Sequence, residues 1–87
     1  MMYLPIGSIV LLKGQAKRTL IYGRNQINIE NGKSYDYVGC GYPEGYVSET
    51  EKLYFNHSDI ELLFAIGYQN FEELKLRAAL SAGMEAK

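Results

Sequence analysis

The 87-residue sequence contains only one cysteine and one histidine. Its one cysteine, Cys40, excludes an internal disulfide, and a free thiol fits a reducing cytoplasm. Its one histidine, His57, leaves a single Cys and a single His, too few for a zinc site of about four ligands. A Cys–His pair without known geometry is also a weak sign of catalysis. We therefore expect no metal, no cofactor and no enzymatic activity.

Long apolar runs and phosphate-binding loops are lacking as well. The run Ile9–Leu12 is far shorter than the ~20 residues that span a bilayer. The N-terminal segment has neither the basic opening nor the small-residue cleavage site of a signal peptide. The glycines of GCGYPEG, residues 39–45, do not lead into a helix, so they do not form a nucleotide-binding motif. These absences predict a cytoplasmic protein that does not contact a membrane.

Neither basic nor acidic residues are in large excess, but the two signs are unevenly distributed along the chain. Residues 1–40 carry five basic and two acidic side chains, a net +3, whereas residues 41–87 carry four basic and eight acidic ones, a net −4. This indicates either two differently charged faces or an uneven surface without function. A nucleic-acid-binding domain is usually basic overall, and the total here is −1.

A nucleic-acid-binding barrel therefore remains only as the alternative function. Its contacts would come from the basic residues of the first hairpin, Lys13, Lys17, Arg18 and Arg24. A solvated strand edge, where lysines discourage aggregation, explains the same residues better.

The composition, 47% hydrophobic and 22% charged, is typical of a globular protein, and the length suits one domain over residues 1–87. Short apolar runs bounded by turn residues predict strands. The predicted strands are Ile9–Leu12, covered on both faces, then residues 18–22, 52–55 and 60–65. In the last of these, Ile60, Leu62 and Phe64 alternate with their neighbours as in a half-buried strand.

The segment INIENGKSYDYVG predicts a hairpin whose loop length follows from the positions of its apolar residues. A two-residue turn at Asn31-Gly32 would place Ile27 and Ile29 on the wrong face. A three-residue loop, residues 30–32, puts Gly32 in the left-handed position that such loops need. It also places both isoleucines on one face with Tyr35 and Tyr37, so we prefer this loop.

The last predicted element is a helix over residues 70–82. Asn70 is a good N-cap, and Glu73 completes a capping-box pattern. The apolar residues form two stripes on nearly opposite sides, Phe71, Leu74 and Ala78 on one and Leu76 and Leu80 on the other. Such a helix either lies in a groove of its own domain or keeps one side for a partner.

Together these elements predict a mainly β fold of the α+β kind. We expect a small, strongly bent antiparallel sheet over residues 4–68, forming a partly open barrel of SH3-like size, followed by the C-terminal helix.

The stretch YDYVGCGYPEGY, residues 35–46, has a structural and a functional interpretation. Alternating glycines and tyrosines are typical of a strand that bends at a barrel corner. Tyrosine is also enriched in recognition surfaces. Both interpretations can hold if Tyr35 and Tyr37 lie inside while Tyr42 and Tyr46 lie outside.

The order of short motifs resembles a family of small Gram-positive bacterial proteins that carries a domain-of-unknown-function label. The matching segments are LPIGSIVLLKG, IYGR, YDYVG, YPEG and FNHSDI, within residues 4–68. Matching residues within them include Tyr37, Gly39, Tyr42, Pro43, Glu44, Gly45, Asn56 and Asp59. The C-terminal segment FEELKLRAALSAGMEAK departs from the shorter, more acidic ending that the resemblance leads us to expect.

The resemblance implies an accessory role beside type VII secretion genes and their LXG-domain toxins. The implied function is that of a cytoplasmic adaptor, chaperone or targeting factor that binds a toxin or a secretion component. We expect the partner to contact Tyr42, Tyr46, Leu76 and Leu80. The helix also offers a face through which the protein would form a homo-oligomer.

Overall fold

The computed structural model describes residues 3–83, which contain one five-stranded antiparallel sheet and one α-helix. The elements are β1 (Ile9–Leu12), β2 (Thr19–Asn28), β3 (Lys33–Gly41), β4 (Leu53–Phe55), β5 (Ile60–Ala65) and α1 (Phe71–Ser81). The strands lie in the order β4-β3-β2-β1-β5, which leaves the sheet open between β4 and β5. The prediction of a mainly β fold with a partly open barrel and a C-terminal helix is confirmed. Within the described range, no helix is long and apolar enough to cross a membrane.

The central apolar cluster lies on one face of the sheet, where the alternation of strand residues selects its members, and β3 has further buried residues on the opposite face. In β1, Val10 and Leu12 are buried, whereas Ile9 and Leu11 between them are partly exposed. The prediction that β1 is covered on both faces is therefore right for one face and only partly right for the other. The central cluster consists of Val10, Leu12, Ile21, Tyr37 and Phe55.

The β2–β3 hairpin has a register that differs from the predicted one. Asn28 pairs with Lys33, so the loop contains four residues, 29–32, and not three. Gly32 does have the predicted left-handed conformation, with φ +73°. The prediction that Ile27 and Ile29 share a face with Tyr35 and Tyr37 is wrong, because Ile27 pairs with Ser34 and not with Tyr35, and Ile29 lies in the loop and is almost fully exposed. The hairpin extends past the core at this end, so the positions of its apolar residues do not determine its register.

Strand β5 also departs from its prediction, because it forms an edge of the sheet. Only Ile60 packs against the core, while Leu62, Leu63 and Phe64 are about half exposed. Register shifts occur at both ends of the β1–β5 pairing and interrupt the alternation of side chains. The prediction of a strand with one buried face is therefore wrong, and its apolar residues contribute to the surface.

In the glycine- and tyrosine-rich stretch, residues 35–46, a glycine is needed where β2 and β3 come close together. A Cβ atom at Gly39 would lie 2.6 Å from the Leu20 carbonyl oxygen, so no larger residue fits there without a shift of the backbone. Beyond β3 the chain turns through a hydrogen bond of 2.8 Å from the Gly45 N–H to the Gly41 carbonyl. The structural interpretation of residues 35–46 is thus supported.

Helix α1 begins at its predicted N-cap, where the Asn70 side chain accepts the Glu73 N–H at 3.0 Å. The Glu73 carboxylate accepts two hydrogen bonds of 2.7 Å from the Arg24 guanidinium in β2. The Glu73 carboxylate therefore belongs to an ion pair with Arg24 and does not complete the capping box that the sequence predicts. Both side chains are nearly buried, with 4% of Arg24 and 10% of Glu73 exposed. A bidentate ion pair in this position joins the helix to the sheet.

We predict that Glu73→Gln lowers the free energy of unfolding by about 3 kcal/mol, because it leaves the Arg24 charge buried without its counter-charge. Urea unfolding followed by circular dichroism measures the change. The matched control is Glu72→Gln on the same helical turn, where the exposed side chain only accepts a bond of 3.3 Å from Asn70. The control should change stability by less than about 0.5 kcal/mol. Equal losses in the two variants would contradict a structural role for the pair.

Candidate protein-binding surface

Helix α1 turns a charged side toward the rest of the protein. Glu73, Arg77 and Leu80, spaced i, i+4 and i+7, are among its least exposed positions. Arg77 lies 3.9 Å from the Glu73 carboxylate and donates to the Tyr3 carbonyl at 3.5 Å. Together with the Arg24–Glu73 pair, these contacts show that the inward side of the helix is mainly ionic. A single apolar residue, Leu80, contributes a buried side chain to it.

The other side of α1 is apolar and open to solvent. Phe71 is 75% exposed and Leu74 is 49% exposed. The Lys75 ammonium lies 5.6 Å from the centre of the Phe71 ring. Of the two arrangements that the sequence allows for this helix, the structure favours the one that keeps an apolar side accessible, because residues 3–83 leave most of Phe71 and half of Leu74 exposed. We call Phe71 and Leu74 the outer face of α1.

The second apolar stripe divides between the surface and the interior. Leu76 is 41% exposed and lines a shallow depression together with Ile6 and Tyr68. Leu80, one turn further along, is only 4% exposed. The prediction that Leu80 contacts a partner is therefore corrected, because this side chain already belongs to the interior of its own domain.

The depression around Leu76 contains residues that the sequence analysis missed. Tyr68 is highly exposed in the connection between β5 and α1, and Ile6 reaches the same depression from the N-terminal segment. An exposed aromatic residue in a short connection is a signal that sequence reading can use. Nothing in the local sequence marks Ile6, because only the tertiary structure brings it beside the helix.

The two tyrosines predicted as contacts lie on the connection between β3 and β4. Tyr42 and Tyr46 are both about half exposed, as expected. The Tyr46 ring packs edge-to-face on Tyr22, with centres 5.9 Å apart, and its hydroxyl donates to Glu49 at 2.5 Å. This bond to a carboxylate raises the pKa of Tyr46. Tyr46 is therefore fixed in position, and the predicted contact residues occupy two elements, this connection and α1.

The four basic residues of the alternative nucleic-acid site do not form a free cluster. Arg24 is buried in its ion pair, so its assignment as a phosphate contact is corrected. The Lys17 ammonium lies 2.7 Å from the Glu44 carboxylate, whose pKa this contact lowers. The Arg18 guanidinium stacks 4.2 Å from the centre of the Phe64 ring. Lys13 is exposed.

The Cys–His pair lacks the geometry of a nucleophile and its base. Tyr37 and Cys40 are three residues apart in β3, so their side chains lie on opposite faces of the strand. His57 is on the Tyr37 side, where its Nδ1 lies 2.7 Å from the Tyr37 hydroxyl. Burial raises the pKa of the Cys40 thiol, which disfavours the reactive thiolate. Among residues 3–83, no three His, Cys, Asp or Glu side chains come together as metal ligands.

Comparison with known proteins gives one match. The family model described as "Domain of unknown function (DUF4176)" matches residues 3–76. The matched part includes the whole sheet and the first half of α1, with Phe71, Leu74 and Leu76, and it ends before Leu80. No curated protein and no solved structure gives a match.

Because Leu80 is buried and Leu76 is partly exposed, replacing each with alanine should lower the free energy of unfolding by different amounts. Leu80→Ala should lower the free energy of unfolding by about 3 kcal/mol, because it removes a buried side chain and leaves a cavity. Leu76→Ala, the matched control on the same helix, should cost less than about 1 kcal/mol. Urea unfolding of both variants measures the difference. A larger loss at Leu76 would show that the helix packs with the other leucine inward.

The buried Tyr37 predicts a loss of stability at high pH. Tyr37 is fully buried, and burial is the main cause that raises the pKa of its hydroxyl. The folded state therefore favours neutral Tyr37, and this contribution to stability is complete below about pH 10. It is lost as the pH rises through the higher pKa of the folded state. Urea unfolding above about pH 10 should show a steeper loss in the wild type than in Tyr37→Phe, and parallel pH profiles would contradict this assignment.

Proposed function

This chain belongs to the DUF4176 family of domains of unknown function, and from that premise and the outer face of α1 we propose that it is a non-catalytic accessory protein that binds another protein. The orientation of the helix carries the proposal. An apolar stripe normally faces the interior of a protein, yet here the ionic side of α1 takes that position.

The outer face supports recognition of a protein in a specific way. Phe71 and Leu74 lie one helical turn apart, which is the spacing of the anchors by which a helix binds in a groove. Removing one such side chain from water contributes about 1.5–3 kcal/mol. The Arg24–Glu73 pair holds the helix in place before binding, so little ordering of the backbone opposes the association.

Further exposed apolar residues lie on β5 and on the connection that follows it. Together with the two residues of the outer face of α1, the full set is Leu62, Leu63, Phe64, Ile66, Tyr68, Phe71 and Leu74. Their exposed area is on the order of 800 Å², taking ~200 Å² for each large side chain in full exposure. Leu62 and Leu63 are consecutive in β5 and lie on opposite faces of the strand, so a single partner would cover only part of this area. An exposed apolar surface of a few hundred Å² is nevertheless typical of a protein-binding site.

For the partner, we propose a type VII-secreted LXG toxin or a component of its secretion machinery. The protein would act in the cytoplasm as an adaptor, chaperone or targeting factor. The resemblance described above suggests this partner, and the exposed apolar surface supports a protein partner in general. Leu76, Tyr42 and Tyr46 remain proposed contacts around the outer face, and Leu80 is excluded by its burial.

The double variant Phe71→Glu, Leu74→Glu should weaken binding to a purified LXG toxin from the same genome by at least about 100-fold, because it places two charges in an apolar interface. Isothermal titration calorimetry measures the dissociation constant. Circular dichroism should show an unchanged fold, since both side chains are exposed.

Ile29→Glu provides the control, because Ile29 is the most exposed large apolar residue in the described part of the chain and lies in the β2–β3 loop. It should bind as the wild type does. Equal binding by the double variant would contradict the role of the outer face. Failure of the wild type to bind any LXG toxin or secretion component would contradict the proposed partner, and a dimer in analytical ultracentrifugation that the double variant abolishes would identify a second copy of the chain as the occupant.

A further inference from the structure

The hydroxyl group of the buried Tyr37 joins three parts of the chain. It accepts the backbone N–H of Leu4 at 2.9 Å, and it lies 2.7 Å from Nδ1 of His57. Tyr37 belongs to β3, Leu4 to the N-terminal segment and His57 to the short turn between β4 and β5. We call these two hydrogen bonds the Tyr37 junction.

The donors of the junction favour one direction for its second bond. A backbone N–H can only donate, so the Leu4 bond occupies an acceptor position of the hydroxyl oxygen. A His57 ring with its proton on Nε2 would offer Nδ1 as the acceptor for the hydroxyl proton, and every donor of the junction would then have a partner.

The junction is connected to helix α1 through two carbonyl groups of the N-terminal segment. The Leu4 carbonyl accepts from Arg24 at 3.4 Å, and the Tyr3 carbonyl accepts from Arg77 at 3.5 Å. The same two arginines contact the Glu73 carboxylate of α1. A displacement of Leu4 therefore reaches the ion pair that holds the helix.

The groups around His57 offer its ring another partner when it becomes charged. The backbone N–H of His57 donates to the Asp36 carboxylate at 2.9 Å, and Asp59 of the same turn accepts the Asn56 backbone N–H at 2.8 Å. On the opposite side lie the Tyr37 hydroxyl and the Tyr3 ring, whose centre is 6.0 Å from that of Tyr37. The cations of the neighbouring elements are Lys13, whose backbone N–H donates to the Asp59 carbonyl at 2.9 Å, and Arg24, which contacts the Leu4 carbonyl and is neutralised by Glu73.

We propose that His57 is a pH-sensitive switch on the docking of α1. Protonation places a donor on Nδ1, so the Tyr37 hydroxyl then meets two donors, His57 and Leu4, and its own proton loses its acceptor. The imidazolium turns from Tyr37 toward the Asp36 carboxylate, and the junction rearranges. The N-terminal segment shifts with it and loosens the contacts of Arg24 and Arg77 with the helix that carries the outer face.

NMR of the uniformly ¹⁵N- and ¹³C-labelled full chain tests this proposal directly, because His57 is the only histidine. At about pH 8, the ring nitrogen shifts should show an unprotonated Nδ1 and a protonated Nε2. On titration to about pH 5, the Leu4 amide and the Leu80 methyl signals should move with the same midpoint as the ring. The amide of Ile29, which lies in the distant loop, should not follow that midpoint.

Two variants separate the switch from general acid effects. Tyr37→Phe keeps the ring and removes the hydroxyl, so the Leu4 amide should no longer follow the titration of His57. His57→Gln keeps a polar side chain that does not titrate in this range, and the same Leu4 signal should become independent of pH. A proton on Nδ1 at pH 8, or Leu4 and Leu80 signals that stay constant while His57 titrates, would overturn the proposal.

Discussion

The buried ion pair between Arg24 and Glu73 is the contact on which the arrangement of the helix depends. It places a charged side of α1 against the sheet, and the Arg77 contacts with Glu73 and the N-terminal segment extend that ionic side. A buried charge without its partner is costly, so each member of the pair requires the other. The apolar residues Phe71 and Leu74 are consequently directed outward, where a second protein can reach them.

The same constraint connects the fold to the proposed function. A domain of this size has limited apolar surface for its own core, yet this one leaves several large apolar side chains of β5 and α1 in solvent. Strand β5 is an edge of the sheet and has a neighbour on one side only within the described residues. Both features make sense for a protein that completes its packing in a complex, which is what the proposed accessory role requires.

Local patterns correctly predicted most elements but not their surroundings. The N-cap Asn70 and the left-handed Gly32 are recognisable from a few neighbouring residues, because the backbone conformation that they favour is a local property. The register of the β2–β3 hairpin was predicted wrongly, since it depends on where the core ends and not on the loop alone. The exposure of β5 was also missed, because apolar alternation does not reveal whether a strand has neighbours on both sides.

The candidate site shows the same division between local and long-range information. Its exposed tyrosines, Tyr42 and Tyr46, follow from a turn-rich segment that the sequence identifies. The sequence by itself also determined the class of fold, the start of the helix and its two apolar stripes, because these follow from propensity and periodicity. Only the tertiary structure decided which side of the helix faces inward, and with it that Leu80 is interior and Phe71 is surface. That choice depends on Arg24 and Glu73, which lie 49 positions apart in sequence and meet only after the chain has folded.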